Sequence, residues 1–263
     1  MNMIQLPGFD LSGLERIGAS VALVVVAIVI SRWQRADLEA DLLIATVRGF
    51  VQLIAIGYLL EFIFGLNHPI WTTLLLAVMT LTAGWVAGGR ALEVPHARPL
   101  ALLAIAIGVA LTLGSLVGLG VFAYDPQTII PIGGMVVGNA MTTCALTMNR
   151  LSNDLHAEQA QVQTALALGA SGRQASLGQF RRALKSAMIP MIDTTKTVGL
   201  IKLPGAMTGM ILAGASPLQA VQIQMIVMYM LVGATAFTGL SAAYLTYRQF
   251  FTPAHQLVLG QAG

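Results

Sequence analysis

Residues 100–124 carry no charged side chain, and residues 17–31 and 70–87 are uncharged in the same way. Runs of this kind constrain the fold more than any motif, because a hydrocarbon core of about 30 Å takes roughly 20 apolar residues at about 1.5 Å each. The run 17–31 is slightly short, so Arg16 or Arg32 has to snorkel at its ends. Only 10% of the 263 residues are charged while 56% are hydrophobic, against about 25% charged in an average soluble domain. A water-soluble surface cannot be built from that supply.

Read between charged or turn-rich breaks, the apolar runs predict seven spans, near 17–31, 46–64, 70–88, 99–123, 128–149, 193–214 and 219–247. The fold class is therefore all-α, a polytopic membrane protein. Lys and Arg set its orientation, since they accumulate on the cytoplasmic side. Arg32, Arg35, Arg48, Arg90, Arg98, Arg150, Arg173, Arg181, Arg182, Lys185 and Arg248 lie around the junctions after spans one, three, five and seven. The short loops 65–69, 124–127 and 215–218 hold none. This predicts the N-terminus outside and the C-terminus in the cytoplasm, with Asp10, Glu15, Glu61 and Asp125 toward the outside. Asp10 and Glu15 before the first run, with Arg32, Trp33 and Gln34 after it, do not suit a cleaved signal peptide.

The net charge of +3 does not point to nucleic acid, because the cations are dispersed between spans and gather on no one face or tail. The single cysteine, Cys144, excludes an intrachain disulfide and paired-cysteine zinc or redox spacing. Four Gly-x-x-x-Gly pairs, Gly84/Gly88, Gly114/Gly118, Gly134/Gly138 and Gly205/Gly209, let helix backbones approach closely where lipid offers no hydrophobic drive. Packing within one subunit is the main expectation; a dimer face is the other.

The long polar stretch 150–186 exceeds the usual connection between packed helices and should hold structure of its own. Residues 154–168 contain neither Gly nor Pro and favour helix, and Gly169 and Gly172 supply a stop. Arg173, Arg181, Arg182 and Lys185 suit either an anchor on anionic headgroups or a dock for a soluble partner.

Span six is the least comfortable in lipid, since Asp193, Lys196 and Lys202 stand near Pro190, Pro204 and Gly205 and each charge near a helix centre costs about 2.5 to 3.5 kcal/mol. Residues 203–214 alone would make a helix of only about 18 Å. A helix starting near Asp193 satisfies both limits, with Asp193 and Lys196 pairing at the headgroups and Lys202 snorkelling or facing protein or water. Its functional reading is that Asp193, Lys196 and Lys202 line a polar path through a broken helix. Asn139, Thr142 and Thr143 on span five either join such a path or bond neighbouring helices. Arg48 and Gln52 share a face of span two, where Arg48 reads as an anchor.

Met141, Cys144 and Met148 can share a helix face, and thioether and thiolate suit soft ions, although methionine also packs cores. Enzyme chemistry is poorly supported. His68, His96, His156 and His255 lie between or beyond the spans, no His-Glu-x-x-His pair exists, and no Gly-Lys dipeptide marks a P-loop. If ATP is used, another chain binds it.

The segment Ile132-Gly-Gly-Met-Val-Val-Gly-Asn-Ala-Met141, followed by Leu166-Ala-Leu-Gly-Ala-Ser171, resembles the FetB (YbbM-like) family of ABC-transporter permeases. Ile189-Pro-Met-Ile-Asp193, Val198-Gly-Leu-Ile-Lys-Leu-Pro-Gly-Ala-Met-Thr-Gly209 and Leu245-Thr-Tyr-Arg-Gln-Phe250 extend the likeness, which covers about 48–251. The resemblance implies one permease domain over 1–263 with a cytoplasmic coupling segment at 150–186. It also implies metal export, iron in bacteria, from the inner membrane, by two permeases working with two separate ATPase subunits that bind ATP and Mg. Carried over by position, Ala165 to Arg173 resembles the coupling helix that inserts into the ATPase, with Ala165, Leu168, Gly169, Ala170, Ser171 and Arg173 at the contact. Pro190 stands further on than the importer version of that motif places its Leu-Pro. The rival reading is an ion-coupled carrier or channel with Asp193 as coupling carboxylate, and an intramembrane hydrolase is more distant.

Overall fold

Three of the long helices begin with the same device, a polar residue followed by proline. Ahead of Pro69 the His68 Nδ1 accepts the Ile70 N–H at 3.3 Å, ahead of Pro126 the Asp125 carboxylate accepts the Thr128 N–H at 3.0 Å, and ahead of Pro217 the Ser216 hydroxyl accepts the Gln219 N–H at 3.3 Å. Each side chain satisfies a donor the helix leaves free, and proline loses nothing at the first helical position. The resulting computed structural model describes residues 11–35, 37–66 and 68–259; Asp10, and the side chains of Glu15 and Arg16, lie outside that description. Its elements are α1 (Leu11–Gln34), α2 (Glu39–Leu66), α3 (Pro69–Arg90), α4 (Ala97–Gly118), α5 (Pro126–Ala157), α6 (Gln159–Ala167), α7 (Gly172–Ala175), α8 (Leu177–Thr197), α9 (Gly205–Leu212) and α10 (Pro217–Gln249). Beyond these the described residues hold only the isolated bridges Val198–Lys202 and Phe251–Leu257.

Five helices, α2, α3, α4, α5 and α10, are long and apolar enough to cross a membrane, and Ser20–Gln34 in α1 is a shorter apolar helix. The chain packs as two compact units that divide between Leu66 and Asn67. In the first, the buried Ser31 ties the α1–α2 turn: its hydroxyl donates to Glu39 at 3.2 Å and accepts the Leu38 N–H at 3.1 Å.

In the second unit, helices meet through small residues. A methyl added at Gly84 would lie 2.7 Å from the Leu102 Cα, and one at Gly88 would meet the Arg98 and Ala97 backbone, so this Gly-x-x-x-Gly pair seats α3 on α4. The Arg98 guanidinium also stacks 3.9 Å from the Trp85 ring. Ala83, Ala87, Ala101 and Ala104 are buried along the same seam, while Gly108 accommodates the Thr238 hydroxyl of α10. This is helix packing in lipid, where close backbone approach replaces hydrophobic drive. Gly114, Gly118, Gly138, Gly205 and Gly209 have open space instead.

Two expectations are corrected. The run 193–214 is not one helix: α8 ends at Thr197 and α9 begins at Gly205. The Thr197 carbonyl accepts from Ile201 and Lys202, Gly199 takes φ +81°, and its N–H donates to the Lys202 carbonyl at 3.0 Å. Pro204 then has no N–H to continue a ladder. At eight residues, α9 is about 12 Å long and too short to cross. The helix expected over 154–168 is also divided, because α5 runs on to Ala157 and breaks at Glu158 (φ −109°, ψ 26°) before α6. Gly169 does stop α6, with φ +89°.

Candidate functional site

Two features of the second unit bear on function, a cavity among the long helices and a helical hairpin at one end. The cavity, about 310 Å³, lies between α5, α8, the 198–204 break, the start of α9 and α10. Asn139, Thr142 and Lys202, expected on one path, all line it. Asn139 Nδ2 donates to the Met135 carbonyl at 2.8 Å, Thr142 to Gly138 at 3.2 Å and Thr194 to Pro190 at 2.8 Å. Thr142 and Thr194 then offer a ligand only oxygen lone pairs, while Asn139 keeps both its Oδ1 and the second N–H of its amide. Gln224 from α10 adds a buried Oε1 without a hydrogen-bond partner.

Asp193 and Lys196 do not join this lining. On α8 the buried residues Gln179, Ala183, Ala187 and Met191 recur every fourth position. At about 100° per residue Asp193 stands roughly 200° around from Met191, and Lys196 equally far from Thr194. Both are exposed, and the ion pair expected between them is not formed. Lys202 sits where the chain turns back, its N–H donating to Thr197 at 3.4 Å, and its ammonium makes no ion pair with a described residue.

The soft-ion candidates lie elsewhere. Cys144 and Met148 are fully buried in the core, the thiol donating to the Met148 Sδ at 3.6 Å with the Ala101 carbonyl at 3.9 Å, and Met141 packs against the same core. Among the described residues no three His, Cys, Asp or Glu side chains come together to hold a metal ion.

The hairpin is α6, the turn 168–171 and α7. The stretch Ala165 to Arg173, expected as one coupling helix, is instead the end of α6, a tight turn and the start of α7. The Ala170 N–H donates to the Ala165 carbonyl and the Gly169 N–H to the Leu166 carbonyl, each at 3.0 Å. These paired bonds close a helix when the residue after its C-cap is left-handed, a conformation glycine adopts freely. Ser171 then caps α7 reciprocally with Gln174. The turn is rigid yet presented outward: Leu168 is 85% exposed, and Arg173 is exposed.

Its base is clamped by charges. Arg182 of α8 pairs with Asp154 at 3.4 Å and with Glu158, Arg150 pairs with Asp154 at 3.1 Å, and Gln179 donates to Glu158 at 2.7 Å. The hydrogen bond to Glu158, ahead of that to Asp154, raises the Arg182 pKa above its ordinary value, so this cation stays charged throughout the physiological range. On the other side the chain after α10 folds back. Phe250 is fully buried with its ring edge-on to His156 at 5.9 Å, Phe251 fills the space a side chain at Gly172 would need, and the Gly172 N–H donates to His255 Nδ1 at 3.4 Å. The α3–α4 loop joins this end through Ser152, whose hydroxyl donates to Glu93 at 3.5 Å. Sequence reasoning missed the clamp and Gln224. Acids at 154 and 158, four apart at a helix end, were its available signal, as was an amide inside an apolar run.

The chain matches the uncharacterised protein family UPF0014 over residues 14–251. It is 46% identical to UPF0014 membrane protein STAR2 of Oryza sativa subsp. japonica, over 95% of this chain and 89% of the relative. It is 45% identical to the protein ALUMINUM SENSITIVE 3 of Arabidopsis thaliana, over 94% and 90%. The probable iron export permease protein FetB of Escherichia coli (strain K12) is 39% identical over 94% of this chain and 95% of its own length. No solved structure matches. Matched along nearly its whole length, and with five helices fit to cross a bilayer, the chain belongs to the UPF0014 family and is a multi-pass membrane protein.

Proposed function

We propose that this chain is the permease subunit of an ABC transporter that exports a metal ion or its complex from the cytoplasm, with energy from a separate ATPase chain. The observation that carries the reading is the hairpin. A rigid turn exposes Leu168 (85%), while its base is bound to α5 and α8 by ion pairs and its other edge to the end of α10. A push on such a turn is transmitted to the helices around the cavity instead of being absorbed locally. Leu168, Gly169, Ala170 and Ser171 form the docking tip, with Ala165 and Arg173 flanking it. ATP and Mg belong to the partner.

Iron as cargo is supported by the likeness to FetB. The collection of Arg90, Arg98, Arg150, Arg173, Arg182 and Arg248 near the hairpin end of the second unit's helices favours that end as cytoplasmic. We place the C-terminus there, the N-terminus outside, the protein in the inner membrane, and two copies in the working assembly. Asn139, Thr142 and Lys202 lie on the route.

The test is co-purification with candidate ATPases in nanodiscs, followed by iron-stimulated ATP hydrolysis. Proline at 169 demands φ near −65° where glycine has +89°, and it deletes the N–H that bonds Leu166. Gly169→Pro should therefore leave basal hydrolysis by the ATPase intact while abolishing its coupling to transport. Leu168→Asp should lose the partner without loss of fold. Wild-type coupling in both variants would remove the hairpin from the mechanism.

A further inference from the structure

The cavity holds a charge imbalance that bears on what enters it. Among the described residues Lys202, itself exposed, is the one charged residue in its lining, and no Asp, Glu, His or Cys lines it. The ammonium has no counter-ion among the described residues, and the peptide that carries it is pinned by bonds to Thr197 and Gly199. Around it the wall is neutral and mainly apolar, with Met135, Met191 and Met228 among its side chains. Thr142 and Thr194 have given their hydroxyl hydrogens to their own helices, Asn139 keeps its Oδ1 and one N–H beyond its bond to Met135, and the buried Gln224 Oε1 accepts from nothing.

A hard metal cation commonly takes carboxylate oxygens beside neutral ones, and an aqua cation here would meet the Lys202 charge with no anion of a described residue to offset it. A species with oxyanions on one side and hydroxyl or metal-bound water on the other meets both demands. Its oxyanion would pair with Lys202 in a charge-assisted hydrogen bond, and its O–H groups would donate to Asn139 and Gln224. We infer that the cavity takes its cargo as a small hydroxycarboxylate-type anion and not as a free cation, with Lys202 as the counter-charge. The anion arrives as the ligand shell of a chelated metal or metal-free. This rests on the reading of the chain as a permease and names the chemical class its site accepts.

The experiment is equilibrium binding to the full-length protein in nanodiscs, without ATPase, using three probes: ferric citrate, citrate alone, and ferrous ion under anaerobic conditions. At least one citrate probe should bind, and Lys202→Gln should weaken it about tenfold, which is about 1.4 kcal/mol. Lys202→Arg should stay within about threefold of wild type, which separates loss of charge from loss of fold. Lys196→Gln, outside the lining, should change nothing. Tighter binding of ferric citrate than of citrate identifies the chelate as cargo, and equal binding identifies the anion; both support the assignment. Citrate affinities indifferent to Lys202→Gln, no binding of either citrate probe at millimolar concentration, or ferrous ion binding more tightly than both would overturn it. Because no ATPase is present, these outcomes are independent of whether hydrolysis is stimulated, the result on which the permease reading itself stands or falls.

Discussion

Replacing Gly88 with alanine puts a methyl group against a neighbouring backbone. An ideal Cβ there lies 2.7 Å from the Arg98 nitrogen and nearer still to the Arg98 Cα, while carbon contacts are comfortable at about 3.5 to 4.0 Å. No side chain can rotate away, so α3 and α4 must separate by roughly 1 Å at their closest point. Overpacking of this kind costs about 1 to 3 kcal/mol. Two further terms enter. Alanine gains about 1 kcal/mol of helix propensity over glycine, and separation pulls Arg98 off the Trp85 ring, now at 3.9 Å, a contact worth about 0.5 to 1 kcal/mol. The net is a destabilisation of about 0.5 to 3 kcal/mol. Gly114, mid-helix in α4, has nothing within 4 Å, so alanine there should gain about 0.5 to 1 kcal/mol. Thermal melting of the full chain in detergent, followed by fluorescence-detected size exclusion, reads both. At about 2 to 4 °C per kcal/mol for a chain of this size class, Gly88→Ala should fall by roughly 1 to 12 °C while Gly114→Ala rises by roughly 1 to 4 °C. Equal melting of Gly88→Ala and wild type would refute the packing argument. A fall at Gly114 as large as that at Gly88 would show that another surface packs against its open side.

Arg182→Ala should loosen the hairpin base by about 1 kcal/mol, the range of a partly exposed ion pair, and hydrogen exchange should quicken in α6 and at the start of α8. Because the Arg182 pKa is raised, its contribution is fully present below the ordinary arginine pKa and lost only as pH rises through the still higher folded value. The difference between wild type and Arg182→Ala should therefore persist at mildly alkaline pH, and its collapse there would contradict the assignment. Phe250→Ala empties a fully buried site and should cost about 3 to 5 kcal/mol. Limited proteolysis should then cut within 251–259, and an unchanged digest would show that Phe250 does not hold this segment.

Hydropathy located the long helices because run length is a property of the chain itself: the runs 70–88, 128–149 and 219–247 lie inside α3, α5 and α10. Gly169 as a stop and Gly84/Gly88 as a packing seam were legible for the same reason, since local conformation and size speak without partners. The break at 198–204 was legible in part, since a polar path through a broken helix was one reading of Asp193, Lys196 and Lys202. Gly199 and Pro204 stand in plain view, but residues 203–214 looked too short to cross and invited one helix from Asp193. Only the structure shows that α8 ends at Thr197 and a separate α9 starts at Gly205. The Arg182 clamp was hidden because Arg182 and Asp154 are far apart in the chain and meet only through the hairpin. The cavity was half legible: Asn139, Thr142 and Lys202 were marked as polar intruders, whereas Asp193 and Lys196 shared their chemistry but not their side of the helix.

The fold-back after α10 joins the last described residues to the hairpin itself, with Phe251 lying on Gly172 and His255 accepting its N–H. For anyone building a reporter or purification handle onto this protein, that arrangement bears on an attachment point close to the hairpin. Bulk fused closely behind Leu259 would load the hairpin on which the proposed coupling to an ATPase rests, and altered behaviour of such a fusion would say more about the handle than about the protein.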